Sequence, residues 1–155
     1  PFCSGKKEYK KWKINWYADR YKIFLSMIDV SCRPRPYISI TVSKGGTVEL
    51  KSPLIGVDYQ KIKIFVDRTK IYDGYDKDFK SKALLKKMYE GKIIKIEYWT
   101  AKKKSGTPVY ANDLKFHCAA TLNAQEFQIV NQMGQNEMLK AWRSKQKGNC
   151  QKSYW

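Results

Sequence analysis

The sequence has a single histidine, His117, and its cysteines form no CxxC pair. Zinc sites combine several closely spaced Cys and His ligands, so no metal site is expected. One histidine also supplies at most one base for a Ser-His-Asp or Cys-His arrangement. His117 adjoins Cys118, but neighbouring side chains on a strand point to opposite faces unless a bulge intervenes. We therefore predict a protein that is not an enzyme and needs no cofactor.

Nucleotide-binding motifs and membrane-spanning runs are also missing. There is no Walker A motif, no dinucleotide-binding glycine pattern and no apolar run long enough to span a bilayer. The loop with Asp73, Asp76 and Asp78 has a calcium-like spacing, but Leu84 and Leu85 stand where an EF-hand needs its glutamate. We interpret this loop as a solvated acidic turn.

Acidic residues are scarce relative to basic ones. Lys and Arg number 31 against 14 Asp and Glu, which gives a formal net charge of +17. Such an excess favours anionic partners, among them nucleic acid, lipid head groups, acidic glycans and acidic protein surfaces. The alternative is a compositional preference for lysine that serves no function. At 155 residues and 43% hydrophobic content, the chain is still able to bury the core of one domain.

The cysteines are widely separated, at Cys3, Cys32, Cys118 and Cys150. An even number at wide spacing favours disulfide bonds in an oxidising compartment, and the alternative is a set of reduced thiols. Cys3 and Cys150 both lie near the chain ends, whereas Cys32 and Cys118 both lie in strand-like surroundings. Of the possible connectivities we therefore prefer Cys3–Cys150 together with Cys32–Cys118.

Apolar and polar residues alternate from Trp12 onward, as in half-buried strands. Trp12 and Trp16 alternate with lysines, which fits a core-facing strand better than an exposed stacking surface. A hairpin turn at Ser43-Lys-Gly-Gly46 joins two strands, because its glycines can adopt positive φ. The pattern predicts further strands near 21–30, 37–42, 47–51, 61–67, 70–72, 92–100 and 109–118. With no βαβ rhythm, these strands predict a mostly β fold, an antiparallel β-sandwich or barrel.

One short helix is inserted among the strands. Residues 81–90 place Leu84, Leu85 and Met88 on one side at helical spacing. Gly91 follows where a left-handed terminator is wanted, since glycine reaches that conformation without steric cost. Strand alternation resumes directly afterwards, so this helix–glycine–strand unit is expected to lie on a sheet.

The end of the chain carries helical patterns instead. Residues 119–133 and 135–146 form two helical segments that Gly134 separates. The predicted organisation is an irregular basic arm at 1–10, a β-sandwich domain at 11–122 and a C-terminal helical tail at 123–155.

Met138, Leu139 and Trp142 form an apolar stripe on the otherwise polar last helix. A helix of about a dozen residues is marginal alone in water, so the stripe must pack on something. It packs either on the chain's own sandwich or on a protein partner. We favour partner docking, because the stripe lies beyond Gly134 and is flanked by polar residues.

Lysines beside aromatic residues form a second candidate binding surface. Trp99 lies on the face of its strand opposite the apolar residues, and Lys102, Lys103 and Lys104 follow in a basic hairpin loop. Exposed rings and cations of this kind bind anionic chains by stacking and by phosphate contacts. We predict that Trp99 and these lysines contact an anionic partner.

Short motifs between Val48 and Leu122 carry a resemblance to a known family. They are Val66-Asp67, Ala83-Leu-Leu-Lys-Lys-Met88, Gly91 with the strand after it, Tyr110, Leu114-Lys-Phe116 and Ala120-Thr-Leu122. This pattern resembles the invasion-associated locus B proteins, which are small secreted or periplasmic bacterial β-sandwich proteins. Lys115 stands where the closing strand of that family has glycine. The resemblance implies a sandwich fold and an exported location, and it brings no catalytic residues.

Two functions from different classes remain open. We prefer a non-enzymatic, exported binding or assembly protein, a component of a larger envelope-associated complex with a basic surface for an anionic partner. The alternative is a nucleic-acid-binding β-barrel protein that uses the lysine excess. The chain begins at Pro-Phe-Cys without methionine, as expected of a processed mature protein or a trimmed chain. The expected disulfide bonds and the family resemblance predict a periplasmic or secreted location.

Overall fold

A computed structural model of the chain describes residues 3–24, 29–30, 39–51, 59–75, 78–101, 110 and 113–150. The strands in these residues are β1 (Ser4–Tyr9), β2 (Trp12–Tyr17), β3 (Arg20–Phe24), β4 (Asp29–Val30), β5 (Ser39–Ser43), β6 (Val48–Lys51), β7 (Tyr59–Val66), β8 (Thr69–Tyr75), β9 (Ile93–Ala101) and β10 (Lys115–Asn123). The helices are α1 (Lys82–Met88) and α2 (Ala124–Gln146).

The strands form two antiparallel sheets. The first sheet has the order β1-β2-β3-β5-β6, and the second has the order β4-β10-β9-β7-β8. Neither sheet closes into a barrel, so the mostly β, sandwich-like fold predicted from the sequence is confirmed and its barrel alternative is wrong. The predicted β5–β6 hairpin is present, with Gly46 at a φ of 100°.

Strand alternation turns one face of each sheet towards a common core. Ile14 on β2 lies opposite Ile23 on β3, and Ile64 on β7 lies opposite Ile96 on β9; each of these side chains is completely buried. Residues from both sheets and both helices belong to one buried hydrophobic cluster. The two sheets therefore share a single core.

The C-terminal helix is continuous, and the predicted break at Gly134 is wrong. Gly134 lies inside α2, where a Cβ would come within 2.5 Å of Cδ2 of Tyr21. The missing side chain thus lets the helix backbone lie against the Tyr21 ring, and α2 packs mainly on β2 and β3. Asn123 caps the helix by accepting the backbone N–H of Glu126 at 2.9 Å.

Residues 1–10 were expected to be an irregular arm, but they contain strand β1. This edge strand pairs with β2 along its whole length. The Cys3–Cys150 disulfide precedes it, with the two Cα atoms 5.3 Å apart, so this predicted pairing is confirmed. Lys7 adds an ion pair with Glu137 of α2 at 2.9 Å. The sequence did not predict this strand, because its edge position leaves none of its residues buried and it lacks the apolar alternation of a buried strand.

Gly91 is not the left-handed terminator that the sequence predicted. Helix α1 ends at Met88 with Tyr89 as its C-cap, and Gly91 is not among the described residues with positive φ. Its role is to leave space. A Cβ on Gly91 would lie 2.5 Å from Cγ1 of Val66 and would collide with the Asp67 carboxylate.

The Asp67 carboxylate joins the β7–β8 turn to the start of β9. Asp67 and Arg68 have φ values of 46° and 74°, as in a type I′ hairpin turn. The carboxylate accepts the backbone N–H groups of Ile93 and Lys92, each at 3.0 Å. These hydrogen bonds lower the pKa of Asp67 below its ordinary value, because they favour the charged form.

Substitution of Gly134 by alanine should destabilise the protein, although alanine is favoured over glycine in helices by about 1 kcal/mol. The added methyl group would meet Tyr21 ring carbons at 2.5–3.0 Å, and overpacking of this kind costs roughly 1–3 kcal/mol. Urea unfolding measures the difference. Gly45→Ala is the control, because nothing lies within 4 Å of its added methyl group. A more stable Gly134→Ala variant would contradict the close contact.

Acid should remove the contribution of Asp67 to stability. Because its native pKa is lowered, that contribution is present above the ordinary pKa of about 4 and is lost as the pH falls through the lowered value. Asp67→Asn has no carboxylate to protonate, so it should lose less stability than the wild type over the same acid range. Urea unfolding at pH values from about 6 down to 2 compares the two proteins. Parallel pH profiles would show that the carboxylate gains nothing from its backbone donors.

Candidate anion-binding face

The outer face of the second sheet carries lysines and aromatic rings. On β7 and β9, Ile62, Ile64, Ile94 and Ile96 are completely buried, so the residues between them point away from the core. We call these outward residues, together with one ring from β10, the basic–aromatic face. Its members are Lys61, Lys63, Phe65, Lys95, Glu97, Trp99 and Phe116.

Trp99 lies in the middle of this face. The strand register places Lys61 opposite it on β7 and Phe116 opposite it on β10. The Lys63 ammonium is 3.9 Å from the centre of a Trp99 ring, and the indole N–H donates to Glu97 Oε1 at 3.2 Å. Trp99 is therefore half-buried and fixed by its neighbours, on the outward face where the sequence predicted it.

A β-bulge brings Phe116 onto the same face. By strand parity Phe116 would share the buried side of Cys118. The register between β10 and β9 shifts between these two residues, so His117 is the additional residue of a bulge. Phe116 is consequently 52% exposed, and its ring packs edge-on against Trp99 with the centroids 5.8 Å apart. The sequence analysis missed Phe116 because strand alternation carries no signal of a bulge.

The basic–aromatic face continues into an open groove of about 510 Å³ beside the β7–β8 turn. Phe65, Arg68, Ile93 and Lys95 contribute to its lining. Asp67 lines it as well, and its carboxylate accepts the backbone N–H groups of Lys92 and Ile93. The Lys95 ammonium lies 4.9 Å from the centre of the Phe65 ring and 3.2 Å from a carboxylate oxygen of Glu97. The groove thus combines apolar surface with cations, which suits an anionic partner that also carries apolar groups.

Positive charge is in excess on this side of the sheet. Asp73 of β8 accepts from Lys61 at 2.8 Å and from Lys70 at 3.1 Å, and these ion pairs, that with Lys61 above all, lower the pKa of its carboxyl group. Asp73 and Glu97 stand among four lysines, namely Lys61, Lys63, Lys70 and Lys95. Lys63 and Lys95 were not predicted as site residues, since their proximity to the rings depends on the pairing of β7 with β9.

Lys102, Lys103 and Lys104 lie outside the described residues. In the sequence they follow Ala101, the last residue of β9. Their predicted contact with an anionic partner therefore stays a prediction, and the face is defined without them.

Cys32 lies outside the described residues, so its predicted pairing with Cys118 stays a prediction. Cys118 is 1% exposed and takes part in a disulfide bond. Its sulfur is therefore not a free thiol that the adjacent His117 could activate as a nucleophile. Within the described ranges no group of three or more His, Cys, Asp or Glu side chains is placed to hold a metal ion. Neither described helix combines the length and the apolar character needed to cross a membrane.

The predicted docking stripe on α2 is largely turned towards its own domain. Met138 is 4% exposed and belongs to the core cluster, and Leu139 packs partly against it. Met138 is therefore a core residue rather than a docking residue, because the unbroken α2 carries the stripe over the first sheet. Trp142 is 36% exposed, and the Lys44 ammonium lies 4.1 Å from the centre of a Trp142 ring. Docking through Trp142 stays a prediction.

Met138→Ala should lower the free energy of unfolding by roughly 2–5 kcal/mol, as large-to-small changes in a core do. Trp142→Ala should cost roughly 1–3 kcal/mol, because a side chain that is only 36% exposed loses both its packing and its cation–π contact with Lys44. Urea unfolding at protein concentrations a hundredfold apart separates this packing from docking between copies of the chain. A stability that rises with concentration in the wild type but not in Trp142→Ala would contradict packing within one chain.

The relation of Val48–Leu122 to the invasion-associated locus B proteins stays a prediction from short motifs. No protein-family model, curated protein or solved structure matches the chain.

Proposed function

We propose that the protein is a non-enzymatic, exported binding protein that holds an anionic partner on its basic–aromatic face as a component of a larger complex. The observation that carries this proposal is the contact series Lys63, Trp99 and Phe116. The Lys63 ammonium lies over the Trp99 indole, and the indole packs against the exposed Phe116 ring on the outer face of the second sheet. The partner is an acidic protein surface, for which such a face offers both charge and apolar area.

The composition of the face supports recognition of a protein. Phe116 is one of the few large hydrophobic side chains exposed among the described residues, and exposed apolar groups with a polar surround are typical of interaction sites. Trp99 beside it is already held by Glu97 and Lys63, so little side-chain freedom is lost on binding. Tryptophan is among the residues that most often carry the binding energy of protein interfaces.

The Cys3–Cys150 disulfide supports the exported location. Disulfide bonds form and persist in secreted and periplasmic proteins and are rare in a reducing cytosol. This bond joins the strand at one end of the chain to the segment after α2. The resemblance to exported β-sandwich proteins supports the same proposal.

A second candidate is a nucleic-acid-binding protein that uses the same face. It is favoured by the two lysines that lie over aromatic rings, Lys63 over Trp99 and Lys95 over Phe65, since stacked bases and paired phosphates use such surfaces. Against it, each of these cations occupies a ring surface that a base would need. An acidic side chain can reach the same ammonium groups from outside without displacing them.

Neutralising two lysines of the face should weaken the binding of an acidic partner more than neutralising two lysines elsewhere. The test pair is Lys63→Gln with Lys95→Gln, and the matched control is Lys80→Gln with Lys87→Gln, two exposed lysines near or on α1. The probes are a fluorescent glutamate-rich peptide and a single-stranded oligonucleotide of equal charge, measured by anisotropy at several salt concentrations. The face variant should bind the peptide about tenfold more weakly, from two charge-assisted contacts of moderate strength.

The oligonucleotide decides between the candidates. We expect it to bind more weakly than the peptide and to lose affinity equally in both double variants, as generic charge attraction does. Preferential oligonucleotide binding that the face variant alone abolishes would favour the second candidate. Equal losses of peptide affinity in the two variants would contradict a dedicated face.

A further inference from the structure

A second concave region lies where α1, α2 and the β5–β6 hairpin meet. It is a cavity of about 430 Å³, within the usual size range of small-ligand sites. Its described lining residues come from these elements, from β3 and from the turn after α1, and they include no member of the basic–aromatic face. It is therefore a separate candidate site.

The inner wall of this cavity is apolar. Leu85 of α1 and Met138 of α2 line it, and both are core residues with at most 4% exposure. Leu139 lines the same wall and packs partly against the core. Because these side chains are fixed by the packing of two helices on the first sheet, the apolar wall is part of the folded domain and needs no rearrangement.

A short hydrogen-bond chain runs through the cavity lining. The Tyr21 hydroxyl donates to Asn131 Oδ1 at 2.6 Å, and Asn131 Nδ2 donates to the Tyr89 hydroxyl oxygen at 3.4 Å. The Tyr89 hydroxyl accepts in this chain, so its own O–H can donate to a bound group. Burial raises the pKa of Tyr21 and of Tyr89, which keeps both phenols protonated.

Three lysines, Lys44, Lys82 and Lys86, line the cavity as well. None of the three cavity lysines forms an ion pair with a carboxylate of the described residues. Three like charges around one concavity repel each other, and a bound anion would offset that repulsion.

We propose that this cavity binds a small organic anion, a carboxylate or phosphate attached to an apolar body. The cavity lysines pair with the anionic group, and the Tyr89 hydroxyl donates to it. The apolar body lies against Leu85, Met138 and Leu139. This site is independent of the proposed partner-binding face, and either can exist without the other.

Isothermal titration calorimetry with four probes tests the ligand chemistry. The probes are octyl phosphate, octanoate, inorganic phosphate and neutral octanol, each titrated into the whole protein. The two amphipathic anions should bind at least about tenfold more tightly than octanol, which lacks the charge, or inorganic phosphate, which lacks the apolar body. Octanol or inorganic phosphate binding as tightly as octyl phosphate would overturn the proposal. The ratio of octyl phosphate to octanoate affinity tells whether the preferred group is a phosphate or a carboxylate.

Two matched double variants test the location. Lys82→Gln with Lys86→Gln removes two cavity lysines, whereas Lys80→Gln with Lys87→Gln removes the same charge from neighbouring exposed positions that do not line the cavity. The cavity variant should bind octyl phosphate at least about tenfold more weakly, as expected for the loss of charge-assisted hydrogen bonds. The control and the Lys63→Gln, Lys95→Gln variant should stay within about twofold of the wild type. Equal affinity in the cavity and control variants would overturn the site.

Discussion

The close contact between the Gly134 backbone and the Tyr21 ring is the constraint on which the rest of the structure depends. It lets α2 lie across β2 and β3, so that Phe127 reaches Trp12 with ring centroids 6.0 Å apart. The same approach brings Asn131 within hydrogen-bond distance of the Tyr21 hydroxyl. Further along the helix it directs Met138 into the core. The packing of α2 on β2 and β3, and the cavity beside it, therefore depend on this close approach.

Local patterns were sufficient to predict the elements whose neighbours are ordinary. The period of two in β7 and β9, the glycine turn between β5 and β6, and the spacing of Leu85 and Met88 in α1 all reappear in the fold. The predictions for Gly134 and Gly91 were wrong, because the roles of these glycines depend on contacts with residues distant in the sequence. Gly134 reads as a helix break in sequence, because the Tyr21 ring that requires a glycine there is 113 residues away in the chain. Gly91 is likewise required by contacts with Val66 and Asp67 rather than by its own backbone.

For the same reason, only part of the candidate face could be predicted from the sequence. Alternation along β9 was sufficient to predict that Trp99 points outward, on the face opposite the buried Tyr98. The partners that make it a site depend on strand order and register: Lys63 comes from β7, and Phe116 comes from a strand whose bulge reverses its parity. The net charge of +17 indicated an anionic partner without indicating where it binds. The face became a candidate because Lys61, Lys63, Lys70 and Lys95 outnumber the acidic Asp73 and Glu97 beside them.

The NMR signals of the indole N–H groups directly test whether an anionic partner binds the basic–aromatic face. The chain has five tryptophans, so a ¹H–¹⁵N NMR spectrum resolves an indole signal for each. The measurement is a titration of the protein with the glutamate-rich peptide at moderate salt. We predict the largest shift at the Trp99 indole, whose N–H donates to Glu97. A largest shift at Trp142, next to Lys44, or equal small shifts at all five indoles would contradict it.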